Sequence, residues 1–162
     1  MNHEWLRLTD QQRELILRYQ ASIPVKLSQL AKELGLKVVA STLSPGISGE
    51  IRPSPNGYVI NVNRHDSSRR QRFTVAHEIA HYLLHRSQIG NGISDDVLYR
   101  SSLSDWREAE ANRLAAEILL PRAAIEEKRA LLHDLDPELI ADALATEFEV
   151  SEVAMKIRLG LS

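Results

Sequence analysis

The chain contains no cysteine. Disulfides and thiolate metal sites are therefore excluded, and any bound metal has to be held by His, Asp or Glu. Charge of one sign is also lacking. The net charge is −2 and the sequence pI about 6.3, so no chain-wide positive field exists to drive non-specific nucleic-acid binding. No uninterrupted apolar run approaches the roughly 20 residues that span a bilayer. Met1-Asn2-His3-Glu4-Trp5 lacks the basic-then-apolar order of a secretory signal. Together these absences set the expectation of a cytoplasmic protein with no membrane partner.

What is present is an ordinary globular composition: 162 residues, 43% hydrophobic and 26% charged, enough to bury a real core. Capping and periodicity place the elements. Thr9 and Gln12 have capping-box spacing and predict a helix from about Asp10 to Tyr19. Leu27, Leu30, Ala31 and Leu34 follow helical spacing, with Gly35 as the stop. Residues 37–40, 47–52 and 58–63 read as short strands around the turn Pro53-Ser54-Pro55-Asn56-Gly57, which predicts a small antiparallel sheet. From Ser67 the chain reads as helical: a long helix to about His85, a loop over 86–102, and a second long helix capped by Ser104 and ending near Leu120. Two helices near 137–148 and 152–159 close the chain. The expected organisation is α+β, with a small antiparallel sheet and a mainly helical core over 1–122 and a C-terminal, helix-turn-helix-like helical segment over 123–162 packed on the same domain.

His77-Glu78-Ile79-Ala80-His81 carries the chemistry. On a helix the two histidines stand one turn apart on one face, so both imidazoles can reach one zinc ion, while Glu78 is placed beside them as a general base. Zinc in such a site polarises a scissile carbonyl and makes water acidic enough for Glu78 to take its proton. The motif is short, and a surface helix could carry it by accident. The helical wheel argues otherwise. Thr74, His77, Glu78, His81 and His85 share an arc of roughly 100°. The remaining positions from Phe73 to Leu84 are apolar or small, the pattern of a buried helix whose polar stripe faces inward. His85 drifts away from His77 by 40° per step and reads as a residue that supports the ligands rather than as one of them.

A catalytic zinc site keeps three protein ligands and one open position. In the helix that carries Ala111, Leu114, Ala115, Ile118 and Leu119 as its apolar stripe, Glu108 lies on the stripe's edge. Glu110 falls with Arg113 and Glu117 on the polar face. Glu108 is therefore the expected third ligand, with Glu110 as the alternative. Asn112, one turn after Glu108, is the expected partner that orients a ligand. Small Ala111 and Ala115 would let the two helices approach closely.

Phe73-Thr74-Val75-Ala76-His77-Glu78-Ile79-Ala80-His81-Tyr82-Leu83-Leu84-His85 resembles the first signature of the ImmA/IrrE family of metallopeptidases. Glu108-x-Glu110-Ala111-Asn112, leading to Ala115-Ala116-x-Ile118-Leu119-Leu120-Pro121, resembles its second. Ala80, Leu114 and Leu120 stand where the family often has Gly, Phe and Met. The resemblance spans roughly residues 25–160. It implies a gluzincin-like His-His-Glu site with one zinc per chain. It also implies a regulatory endopeptidase that cleaves a helix-turn-helix repressor or antitoxin and so relieves repression. The competing reading is a non-catalytic repressor- or DNA-docking protein with a structural zinc site.

Three further expectations concern binding. Only Lys156 and Arg158 are available as cations on the last helix, which is thin for neutralising phosphates, so direct DNA binding is not expected. Arg64, Arg69, Arg70 and Arg72 read as a solvated loop and helix start. The strand over 58–63 is expected to take substrate as an added strand, with Asn61 or Asn63 facing the cleft. Tyr82, Tyr99, Arg100 and His133 are the candidates for stabilising an oxyanion.

Overall fold

Reciprocal capping starts the first long helix. Thr9 accepts from the Gln12 backbone N–H, and the Gln12 side chain accepts from that of Thr9, at the head of α2 (Asp10–Gln20). The computed structural model describes residues 2–95 and 105–161. Along the chain it runs α1 (His3–Leu6), α2, α3 (Leu27–Glu33), β1 (Leu36–Ser41), β2 (Gly49–Ser54), β3 (Gly57–Asn63), α4 (Ser68–Leu84), β4 (Ile93–Asp95), α5 (Asp105–Leu119), α6 (Arg122–Ala130), α7 (Pro137–Phe148) and α8 (Glu152–Arg158). The α+β class is as expected from sequence. Ser104, Tyr99 and Arg100 lie outside the described residues. No helix among those described is long and apolar enough to cross a membrane.

The sheet differs from expectation in two ways. Its order is β1-β3-β2-β4, and β1 pairs with β3 in parallel while the other two pairings are antiparallel. The sheet is therefore mixed, because β2 and β3 close a hairpin and β1 comes back along the far side of β3. The second difference is β4, three residues drawn from a stretch that reads as loop. Ile51, Ile60 and Val62 form the buried face of the sheet. The opposite face carries a polar ladder: Ser41 donates to Asn61, Asn61 to Glu50, and Ser94 to Glu50.

Helix α4 is the central element. It starts at Ser67, whose side chain accepts from the Arg70 N–H, and its residues from Thr74 to His81 are all buried. It packs against β2 and β3 and, more extensively, against α5. Ala111 and Ala115 of α5 are fully buried, as close helix packing requires.

The N-terminal segment braces α5. Trp5 and Leu8 join the core, and the buried Glu4 carboxylate accepts from Arg113 Nε and Nη2 at 2.9 Å each. The Arg113 guanidinium holds the Glu4 carboxyl below its ordinary value of 4.5. That contribution to stability is full above pH 4.5 and is lost as pH falls through the lower folded value. Glu4→Ala is expected to cost about 1.5–3 kcal/mol, the range for hydrogen bonds to charged groups. Urea unfolding at neutral pH and again near pH 3 checks this: the cost should shrink in acid.

The C-terminal segment is tied to the same core. Glu149, in the left-handed region (φ 55°), turns the chain from α7 to α8. Arg69 donates to the Val150 carbonyl at 3.0 Å and Arg72 to the Glu149 carbonyl at 3.2 Å. Arg158 donates to the Leu120 carbonyl and pairs with Glu117 at 2.8 Å. Arg69 and Arg72 thus fasten α4 to the α7–α8 turn, which no helical wheel of α4 alone could reveal. The two cations of α8, Lys156 and Arg158, both sit in ion pairs within the chain.

Candidate metal centre

The inward face of α4 brings three side chains to one point. His77 Nε2 and His81 Nε2 stand 3.1 Å apart. Glu108, in the first turn of α5, places Oε2 3.2 Å from His77 Nε2 and Oε1 3.1 Å from His81 Nε2. Both histidines are fully buried and Glu108 nearly so. Among the described residues these three form the cluster of His and carboxylate atoms able to hold a metal ion.

The two imidazoles are held from behind. His77 Nδ1 donates to Asn112 Oδ1 at 2.8 Å, because an amide oxygen can only accept; this leaves the Nε2 lone pair directed at the centre. His81 Nδ1 lies 2.9 Å from His85 Nδ1. His85 Nε2 lies 2.8 Å from Glu110 Oε1, and Arg7 Nη1 reaches Glu110 Oε2 at 2.6 Å. Burial pushes the His85 imidazole below its ordinary value of 6.5, against the Glu110 hydrogen bond, which acts the other way.

Glu108 and Glu110 therefore separate as sequence spacing suggested, with Glu108 in the cluster. The surface position expected for Glu110 is wrong. It is buried at the end of α4, because His85 and Arg7 converge on it from two other elements. Asn112 and His85 both touch the histidines they were expected to support.

Glu78 is fully buried on the same helix, against β2. A Cβ on Gly49 would lie 2.3 Å from Thr74 Cγ2 and 3.2 Å from Glu78 Oε2. Glycine is thus required where β2 crosses α4 beside the carboxylate. A glycine inside a strand is itself a sign of close backbone approach, and that sign was available in the sequence. Gly49→Ala is expected to push β2 off α4, destabilise the fold by about 1–3 kcal/mol as overpacking does, and displace Glu78. Thermal unfolding and turnover should fall together; an unchanged melting temperature would contradict the contact.

The substrate-strand expectation fails. Strand β3 is interior, flanked by β1 and β2 over its whole length, and has no edge to offer. Asn61 belongs to the polar ladder on the outer face. Asn63 donates to the Ile47 carbonyl and accepts from the His65 N–H, holding the chain at the end of the strand. Tyr82 packs edge-on against Tyr58 and lies under the Arg86 guanidinium. His133 sits on the exposed connection after α6, bonded to the Ala130 carbonyl.

The donor set fits zinc. At Zn–N and Zn–O bonds of about 2.0–2.1 Å, tetrahedral ligand atoms lie roughly 3.3 Å apart, close to the 3.1–3.2 Å separations here. Two neutral imidazoles and a carboxylate are a usual zinc set, and no thiolate competes.

Comparison with known proteins bears on the family and the fold. No curated protein matches the chain. Among solved structures, a Mycobacterium tuberculosis transcriptional regulator matches with a TM-score of 0.59 at 20% identity, over 99% of this chain and 52% of that one. That likeness is one of fold, and this chain spans about half the length of that protein. The family model for peptidase M78, described as the IrrE N-terminal-like domain, matches residues 31–160, a span that holds α4, α5 and all the residues of the cluster. The chain belongs to this ImmA/IrrE-type metallopeptidase family.

Proposed function

We propose that the chain is a zinc-dependent endopeptidase that hydrolyses one peptide bond in a regulatory protein, a helix-turn-helix repressor or antitoxin, and so relieves repression in the cytoplasm. The observation that carries the reading is the convergence of His77, His81 and Glu108 on one buried point, with Glu78 buried on the same helix as the two histidines.

Bound zinc supplies the Lewis acid that polarises the scissile carbonyl and acidifies water. His77, His81 and Glu108 hold it, and Asn112 fixes the tautomer of His77 that offers Nε2. Glu78 takes the proton of the attacking water on its carboxylate and passes it to the departing amine. Gly49 keeps β2 close enough to confine that carboxylate. Among the described residues the sheet's outer strands are β1 and β4. Strand β4 is the one on the Glu78 side, since Asp95 lies opposite Gly49. A peptide added as a further strand there would run past the catalytic carboxylate.

The reading as a docking protein with a structural zinc site is less well supported. A structural site has no use for a carboxylate such as Glu78 beside its histidines, and it fills its fourth position with protein. DNA contact by α8 is also poorly supported, since its two cations are engaged within the chain.

The test is incubation of the zinc-loaded protein with purified helix-turn-helix repressors and antitoxins from its own genome. Discrete cleavage that stops on chelation and returns with zinc is expected. An intact partner after incubation with metal-loaded protein would contradict the proposed substrate.

A further inference from the structure

We propose that Glu110 and Arg7 are positioning residues for the metal, acting through His85 on the outer nitrogen of His81. This rests on the metallopeptidase reading above and adds to it a second route by which the fold controls the centre.

The argument begins with hydrogen-bond direction. The chain of contacts runs His81 Nδ1 to His85 Nδ1 at 2.9 Å, His85 Nε2 to Glu110 Oε1 at 2.8 Å, and Glu110 Oε2 to Arg7 Nη1 at 2.6 Å. A guanidinium only donates, and a carboxylate facing it accepts on both oxygens. Glu110 Oε1 must then receive a proton from His85, which puts the hydrogen of neutral His85 on Nε2. His85 Nδ1 is left as an acceptor, and the hydrogen between the two histidines belongs to His81 Nδ1. His81 Nε2 then carries the lone pair, at the atom that stands 3.1 Å from both His77 Nε2 and Glu108 Oε1. With the opposite tautomer His81 would present an N–H to the centre and could not ligate. The direction of the whole chain is set at its far end.

Two features distinguish this arrangement from a surface ion pair. His85 is 1% exposed and the Glu110 side chain 12%, so neither has bulk water as a substitute partner. Arg7 comes from the N-terminal segment, before the residues 31–160 that the family model matches. The same segment clamps α5 through Glu4 and Arg113, so the helix that carries Glu108 and Glu110 is held in register with α4 from outside the matched region.

The prediction concerns zinc affinity, read by competition with a chromophoric chelator, and ligand geometry, read from the visible spectrum of the cobalt-substituted protein. Glu110→Ala should weaken zinc binding about 10–100-fold, the usual effect of removing a partner that orients a ligand, and should alter the cobalt spectrum. Glu110→Gln has one acceptor oxygen for two donors, so it should restore most of the affinity only when combined with Arg7→Met, which leaves that oxygen to accept from His85. His85→Phe should match Glu110→Ala, and the double variant should be no worse than either, because the contacts act as one unit. Arg7→Met, at a side chain 35% exposed whose loss does not threaten folding, should lose about two- to fivefold.

Wild-type zinc affinity and cobalt spectrum in Glu110→Ala would overturn the proposal. So would a loss in the Glu110→Gln, Arg7→Met combination equal to that of Glu110→Ala, or additive losses in the variant that joins His85→Phe to Glu110→Ala. Failure of the wild type itself to bind zinc would instead defeat the metallopeptidase reading, which keeps the two failures apart.

Discussion

Glu78→Gln is expected to bind zinc as the wild type does and to hydrolyse its substrate about 10²–10⁴-fold more slowly, the usual contribution of a positioned general base. Both halves follow from the geometry. Glu78 is next in sequence to His77, but the atoms that converge on the metal position belong to His77, His81 and Glu108. The Gln side chain has nearly the same shape, so the packing of β2 against α4 at Gly49 is kept. What is lost is the one group on that face able to take a proton from water and give it to an amine. Metal content measured beside turnover separates the two effects. Loss of zinc in Glu78→Gln would mean the carboxylate is a ligand, and undiminished turnover would mean the proton goes elsewhere.

The second large effect is expected from Glu108→Ala. It removes the only carboxylate of the cluster and leaves two histidines, which cannot complete a three-ligand site. Zinc affinity should fall by more than the roughly 100-fold that marks loss of an orienting partner, and turnover with it. The contrast with Glu110→Ala is informative because the two residues are neighbours on α5 with different partners. Glu108 faces both Nε2 atoms at 3.1–3.2 Å, and Glu110 faces His85. If Glu110→Ala released the metal while Glu108→Ala kept it, the assignment of the ligand would be reversed.

The features legible in the sequence were those governed by a single helix. Period and spacing put His77, Glu78 and His81 on one buried face of α4. The edge of the apolar stripe on α5 identified Glu108, and Asn112 followed one turn later. What escaped depends on a third element. Glu110 looks solvent-facing on the wheel of α5, and only the arrival of His85 from the end of α4 and Arg7 from the end of α1 makes its position buried. Arg69 and Arg72 look like a charged helix start until the α7–α8 turn is laid beside them. The sheet shows the same limit. Alternation located the strands near 37–40, 47–52 and 58–63, but which strand becomes interior depends on how the chain returns, and β3 turned out to have neighbours on both sides. Strand β4 is three residues long, too short for a period of two to register.

The decisive experiment is metal analysis of purified wild type, Glu78→Gln and Glu108→Ala after equilibration with zinc, followed by incubation of each with helix-turn-helix repressors and antitoxins from the same genome. The expected outcome is one zinc per chain in wild type and Glu78→Gln, little in Glu108→Ala, and cleavage by the wild type alone. A wild type that holds no zinc, or a Glu108→Ala variant that retains it and still cleaves, would contradict the site described here.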